Sequence, residues 1–316
     1  MTRLLWPDLL DAPDLPGVEI LTYDTSEPLP EEAHDAEIFV VWARGGHLLS
    51  RDAQVLTRLR LVQSFAAGTD VIEEAGFAPE VIVSSGVGLH DATVAEHTLT
   101  LVLTLVRRIP DLLQAQADHR WHPEYSGVQP LHHPGPVSTL IGANVVVWGF
   151  GSIAATLAPM LAALGATVRG IARSAGTRHG FEVVGDAEAD RVLADCDVLI
   201  SILPGGDATR HVIDAACLDR LPDHAYVVNV GRGSVLDESA LVEALQQGRI
   251  GGAALDVMET EPLPASDPLW SAPRIVLTPH CAGGRPVGYE TLVSANVEAL
   301  LGGGELRNVV SRSPRP

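Results

Sequence analysis

Apolar residues in this chain fall into short valine- and isoleucine-rich bursts, separated by stretches where they recur at three- and four-residue spacing. Bursts apolar on both faces predict strands of a buried parallel sheet, and the longer spacing predicts helices packed on it. Residues 38–42, 61–64 and 81–85 predict strands, with a helix over 53–59. After residue 140 the alternation resumes, with strands over 145–147, 167–172, 196–204, 225–230, 252–257 and 274–278. Between these halves, 93–113 predicts one long helix, capped by Asp91 or Thr93, with almost no polar face over 99–106. Such a helix should be buried, between domains or against a second subunit. The Pro-, His- and Gly-rich stretch 120–137, with Trp121 and Tyr125, predicts a linker or dimer-contact loop. Residues 288–301 predict a last helix, and Gly302-Gly303-Gly304 leads to an Arg-rich loose tail. Alternating strands and helices of this kind imply an α/β fold with parallel sheets.

One junction in this pattern carries a chemical meaning. Val145-Val146-Val147-Trp148-Gly149-Phe150-Gly151-Ser152-Ile153-Ala154 runs a buried strand into a tight turn and then a helix. Gly149 allows the turn, and Gly151 lets the backbone approach a pyrophosphate at the helix N-terminus, with Ala154 in the third small position. Taken alone, this is also an ordinary strand-turn-helix. The following strand ends at Ala172-Arg173-Ser174, where NAD-binding proteins carry an acid for the ribose 2′-hydroxyl. A guanidinium and a hydroxyl would instead bind a 2′-phosphate, so NADP(H) is expected over NAD(H). Arg173 can also be read as a solvated loop residue. Glycines after the earlier strands, in Ala43-Arg44-Gly45-Gly46 and Ala66-Ala67-Gly68-Thr69-Asp70, can turn amides toward an anion or merely punctuate the chain.

Composition narrows the classes. The chain of 316 residues is long enough for two domains. A net charge of −19 argues against nucleic acid as a partner. No lysine occurs, so all 21 basic residues are arginine, which excludes Schiff-base chemistry and a Walker-type phosphate loop. No apolar run spans a membrane and the N-terminus lacks a signal-peptide core, so a soluble cytoplasmic protein is the default. Cys196, Cys217 and Cys281 suit a reducing compartment as small buried residues. The 12 histidines, His132 and His133 among them, show no metal-ligand spacing, and no metal is expected.

Several ordered motifs then converge. Val94-Ala95-Glu96-His97 and the Gly149-Phe150-Gly151 turn precede Asn229-Val230-Gly231-Arg232-Gly233-Ser234-Val235-Leu236-Asp237-Glu238. After these come Gly252 through Asp256-Val257-Met258-Glu259-Thr260-Glu261-Pro262 and Leu277-Thr278-Pro279-His280. In this order they resemble the D-isomer-specific 2-hydroxyacid dehydrogenases, most strongly from about Gln63 to His280. The resemblance implies two Rossmann-like doubly wound parallel-sheet domains with the active site in the cleft between them. Residues 1–93 plus 287–316 would form the substrate-binding domain, and 94–286 the dinucleotide-binding domain.

Further roles follow from the resemblance. Arg232 would grip the substrate carboxylate and carbonyl, Glu261 and His280 would be the acid–imidazole pair, and the amides of Ala67 and Gly68 would hold the carboxylate. Val230 and Asp256 would bind the nicotinamide carboxamide. Gly149, Gly151, Ser152, Ile153, Arg173, Ser174, Leu203, Pro204 and Thr209 would complete the cofactor site. Arg44 is a further candidate for the substrate pocket, as are Trp42, Trp121 and Tyr125, each of which also admits a structural or interface role.

The chemistry asks independently for these types. Reducing a 2-keto acid needs a cation to orient the carboxylate, and a proton donor active near neutral pH for the carbonyl oxygen. A histidine beside a carboxylate is such a donor. The absent ribose acid points to the glyoxylate and hydroxypyruvate reductase branch, acting as a homodimer on a small 2-keto acid. A short phosphoglycerate dehydrogenase and a non-catalytic, nucleotide-sensing corepressor-like protein stay open as alternatives.

Overall fold

The computed structural model describes residues 1–126 and 137–310, in which the apolar bursts become two separate sheets. The chain divides into two units, Met1–His90 with Arg285–Pro316, and Asp91–Gly284. The first contains β1 (Thr2–Pro7), β2 (Val18–Tyr23), β3 (Ile38–Val41), α1 (Gly46–Val55), β4 (Leu61–Ser64), α2 (Asp70–Ala75) and β5 (Ile82–Ser84). Its sheet runs β2-β1-β3-β4-β5 and every pair is parallel. Leu5, Phe39, Val62 and Val83 fill one side of it, and Leu4, Trp6, Ile38, Val40 and Leu61 the other.

Two strands of this sheet lacked a visible signal. β1 carries Arg3 near its start, and β2 is an edge strand whose exposure alternates. The helix expected over 53–59 instead starts at Gly46, where Gly45 supplies no side-chain cap to mark the boundary.

The second unit contains α3 (Asp91–Val106), α4 (Ile109–Ala117), β6 (Asn144–Trp148), α5 (Ser152–Ala163), β7 (Thr167–Ala172), β8 (Gly176–Arg178) and β9 (Phe181–Gly185). It continues through α6 (Ala189–Leu193), β10 (Val198–Ser201), α7 (Ala215–Leu218), β11 (Tyr226–Asn229), α8 (Glu238–Gln247), β12 (Gly252–Leu255) and β13 (Ile275–Leu277); α9 (Tyr289–Gly302) then returns to the first unit. The sheet order is β13-β12-β11-β10-β6-β7-β9-β8, parallel except for the β8–β9 hairpin. Strand order reverses between β6 and β10, which places the loops after both strands at the topological switch point where ligands of such sheets bind.

Three expectations are corrected. The single helix over 93–113 is two, broken at Arg108, which adopts a left-handed conformation (φ 51°). Pro110 explains the break: it lacks an N–H, and in a continuous helix its ring would meet the carbonyl four residues earlier. The apolar faces of α3 are buried within its own unit, Leu101, Val102, Leu105 and Val106 sharing a cluster with Leu157 and Leu161 of α5 and with Val228 and Ala254. The tail is not loose as far as Val310. Arg307 N donates to Asn296 Oδ1 (2.7 Å), Ser85 N to Asn308 O (2.9 Å), and Val310 N to Val83 O (2.9 Å), docking the segment on β5. Arg312 and Arg315 of that tail, and His132 and His133, lie outside the described residues. Among the described residues no helix is long and apolar enough to cross a membrane.

Candidate active site

In a parallel sheet every strand delivers its following loop to the same edge, so the loops after β6, β7, β10, β11, β12 and β13 share one rim of the second unit. The glycine turn follows β6. Gly149 has φ 96°, and a Cβ there would lie 2.7 Å from Ile202 O in the loop after β10. Conformation and packing therefore both require glycine. Gly151 is different: its φ is −101°, and an added Cβ would meet nothing within 4 Å. Neither strain nor packing demands glycine there, which leaves clearance above the N-terminus of α5. The amides of Ser152, Ile153 and Ala154 at this end have no acceptor among the described residues, the first turn bond being Ala155 N to Gly151 O (2.9 Å). Open amides at a helix N-terminus, beside space kept clear by glycine, fit a pyrophosphate. Ser152 Oγ is engaged elsewhere, donating to Asp91 Oδ1 (2.9 Å).

At the end of β7, Arg173 is exposed and has no partner among the described residues. Ser174 Oγ accepts from Arg178 Nη2 (2.9 Å), whose Nη1 donates to Phe150 O in the glycine turn (3.1 Å). Arg178 escaped the sequence reading. The signal was His179-Gly180, both at positive φ, a two-residue turn that folds β8 and β9 into a hairpin and returns Arg178 to this corner. Arg178 and the Ser174 hydroxyl thus meet beside the glycine turn, with Arg173 next to Ser174 in the chain.

The loops after β10, β11 and β12 pack through glycine. Cβ atoms on Gly231 and Gly233 would collide with Leu203 and Met258 backbone respectively, so Arg232 is pinned between two close backbone approaches. Buried Asn229 folds this turn, Nδ2 donating to Arg232 O (2.9 Å) and Oδ1 accepting from Gly231 N (3.1 Å). Thr209 Oγ1 closes the preceding loop onto Pro204 O (2.7 Å). Val230 N donates to Ser201 O (3.1 Å), while its carbonyl accepts nothing among the described residues.

Glu261 Oε2 meets His280 Nδ1 at 2.7 Å, and Glu261 Oε1 accepts from Met258 N at 2.8 Å. The hydrogen bond that Nδ1 donates to Glu261 holds the imidazole pKa above its usual value, against burial and the Arg232 charge, which lower it. For Glu261, burial pushes upward, but the His280 and Met258 hydrogen bonds and the His280 and Arg232 charges prevail and leave it lowered. Arg232 is thus near enough to act on both members. His280 Nε2 has no partner among the described residues, and the His280 side chain is 49% exposed. Its backbone is left-handed (φ 51°), strain of a kind concentrated at functional sites, held by N–H bonds to Asp256 O (2.7 Å) and Thr278 O (3.0 Å).

Asp256 is buried and accepts from Thr278 Oγ1 (2.6 Å), Cys281 N (3.0 Å) and Ala282 N (2.9 Å), with His97 Nε2 3.3 Å away. His97, Asp256 and Cys281 bring three possible metal-ligand atoms within 4.8 Å of one another, although a carboxylate so well supplied with donors already serves as an anchor. Cys281, read in the sequence as buried, is exposed; Cys196 and Cys217 are buried.

In the first unit, Ala67 and Gly68 follow β4 and their N–H groups have no acceptor among the described residues. Arg44 requires a correction. Its guanidinium pairs with Asp52 (Nε–Oδ2 2.5 Å, Nη2–Oδ1 2.9 Å) and Nη1 faces the carbonyls of Asp24, Thr25 and Glu27 at 3.1–3.2 Å, with the side chain 0% exposed. A guanidinium so enclosed holds loops together and has no face for a substrate. Trp42 stacks on His90 (5.1 Å), and Tyr125 sits beneath the Arg108 guanidinium (5.3 Å).

Comparison with known proteins follows the same outline. Residues 99–282 match the D-isomer specific 2-hydroxyacid dehydrogenase, NAD binding domain. The chain is 32% identical over 268 residues to glyoxylate/hydroxypyruvate reductase A of Salmonella paratyphi B, covering 81% of each. A D-isomer specific 2-hydroxyacid dehydrogenase from Xanthobacter autotrophicus Py2, solved with NADPH and MES, superposes with TM-score 0.79 at 28% identity over 98% of each chain. The NADPH-dependent glyoxylate/hydroxypyruvate reductase of Sinorhizobium meliloti, solved with NADP and sulfate, superposes with TM-score 0.82 at 26% identity, again over 98% of each.

Proposed function

Since the chain belongs to the D-isomer specific 2-hydroxyacid dehydrogenase family, we propose that it reduces a small 2-keto acid of the glyoxylate or hydroxypyruvate type to the D-2-hydroxy acid, using NADPH. The observation that carries this reading is the Glu261–His280 pair, bonded through Nδ1 with Nε2 open, beside Arg232. Arg232 orients the carboxylate and carbonyl through its guanidinium fork. When bound, the reduced nicotinamide supplies a hydride to the carbonyl carbon. His280 gives its Nε2 proton to the carbonyl oxygen as negative charge develops there, and Glu261 stabilises the imidazolium beforehand. In the oxidative direction the neutral imidazole takes the proton back.

The dinucleotide would be held at its pyrophosphate by Gly149, Gly151 and the amides of Ser152 and Ile153, along Leu203, Pro204 and Thr209, and at its carboxamide by Val230 carbonyl and Asp256. Arg173, Ser174 and Arg178 support the preference for the 2′-phosphate. A homodimer belongs to the same proposal, supported by exposed Leu112 and Leu113 on α4 and by Trp121, which is 84% exposed.

The test is NADPH oxidation measured against glyoxylate, hydroxypyruvate, pyruvate and bulkier 2-keto acids, with Arg173→Ala alongside. Turnover of the small acids is expected. Arg173→Ala should raise the KM for NADPH roughly tenfold, the loss of one charge-assisted hydrogen bond at an exposed site, and leave NADH unchanged. NADPH binding without turnover of any 2-keto acid would reject the reaction, and an unchanged NADPH KM would reject the phosphate assignment.

A further inference from the structure

Glu261 reaches His280 from residues 258–261, which form no helix or strand, so its aim depends on how this loop is tied down. Three ties exist. Met258 N donates to Glu261 Oε1 (2.8 Å) inside the loop. The Glu259 carboxylate meets Arg210 Nη2 (2.5 Å) and His211 Nε2 (3.4 Å), but these groups are exposed, and pairs in water contribute little. Glu259 N donates to Glu238 Oε1 (2.7 Å). Glu238 is the first residue of α8 and half-buried, and the carboxylates of Asp267, Glu259 and Glu261 all face it.

We infer that Glu238 is a positioning residue for the acid–imidazole pair, its carboxylate holding the Glu259 amide and so fixing the turn that points Glu261 at His280 Nδ1. The inference rests on the proposed role of His280 as proton donor. Helix capping does not account for Glu238, because Asp237 already caps α8 by accepting from Ala240 N (3.0 Å). Nor is it a comfortable place for an acid. Burial raises the Glu238 pKa and the three neighbouring carboxylates add to it, while the bond from Glu259 N and the N-terminal end of α8 favour the charged form. An acid kept against that opposition is explained by what its oxygen accepts. The charges that face the pair itself are Arg232, on both members, Asp256, on His280, and Glu238, on Glu261.

The experiment compares Glu238→Ala, Glu238→Gln and His280→Gln for kcat as a function of pH and for NADPH Kd. Glu238→Ala should lower kcat about tenfold to a hundredfold, the scale of a small misplacement at a reacting centre. Its alkaline loss of activity should move to lower pH, with NADPH Kd unchanged. Glu238→Gln keeps an oxygen that can accept the Glu259 N–H and should recover most of kcat. Wild-type kcat and pH profile in Glu238→Ala, or equal damage in Glu238→Gln, overturns the inference. If Glu238→Ala melts below the assay temperature, Glu238→Asp takes its place: it keeps the charge but withdraws the acceptor, and wild-type behaviour there is equally fatal. His280→Gln separates the two readings, since its retention of kcat would sink the proton-donor role itself, whereas its loss beside an unaffected Glu238→Ala would sink only the positioning role.

Discussion

Arg44 with Asp52 and Glu261 with His280 are both hydrogen-bonded charged pairs anchored near strand ends, and they differ in what is left over. The Arg44 guanidinium gives its donors to one carboxylate and three carbonyls and is sealed from water. His280 uses Nδ1 for Glu261 and keeps Nε2 exposed. A group that reacts must keep a donor or acceptor open to a ligand, while a group that builds structure spends most of its own inside the fold. The largest effect that sharpens this contrast is expected from His280→Gln: turnover falls by about 10²–10⁴, the usual contribution of a positioned proton donor, with NADPH affinity intact. Steady-state kinetics with a cofactor titration reads both, and a parallel loss of NADPH binding would put His280 in the cofactor site instead.

Next in size is Arg44→Met, read as stability. Deleting one partner of a buried pair strands the other charge, and Asp52 should cost the first unit about 3–5 kcal/mol in a urea unfolding curve. The kcat of the protein that remains folded should not change. Unaltered stability with a raised KM for the 2-keto acid would reverse the comparison and return Arg44 to the substrate site.

How far this contrast could be read from the chain differs by level. Strands buried on both faces, such as β6, β10 and β11, are uniform apolar runs, and the switch-point glycines follow directly from them, so the second sheet and its turn were plain. β1 and β2 were not, because a strand opening on Thr2-Arg3 and an alternating edge strand resemble loop. At the site, Arg232, Glu261 and His280 stood out through ordered motifs. Arg178 and Glu238 did not stand out as site residues. One acts through a hairpin turn and the other through a backbone amide of a different loop, and neither relation has a fixed sequence spacing. Arg44 shows the converse: a strand-end arginine beside glycines looks like a ligand group until Asp52, a turn and a half along α1, is seen to occupy it.

The smallest effect concerns the sign of a pH dependence. His280 titrates above the free imidazole value of 6.5 because Glu261 accepts its Nδ1 proton, an effect that outweighs burial and Arg232. The imidazolium is the form that donates, so kcat for keto-acid reduction should fall as pH rises through the elevated value, and oxidation of the hydroxy acid should rise over the same interval. Stability follows the same linkage: the His280 contribution is present below 6.5 and fades through the raised pKa. Glu261, lowered from 4.5, contributes above 4.5 and loses that contribution as pH falls through its depressed value. Both side chains are a third or more exposed, so this is a small part of stability and the kinetic profile is the better reading. Glu261→Gln removes the raising partner and leaves Arg232, so the alkaline fall should shift to lower pH, by more than any shift in the corresponding profile of Arg44→Met. Were the two variants to share one profile, the open nitrogen of His280 would no longer distinguish the reacting pair from the sealed one.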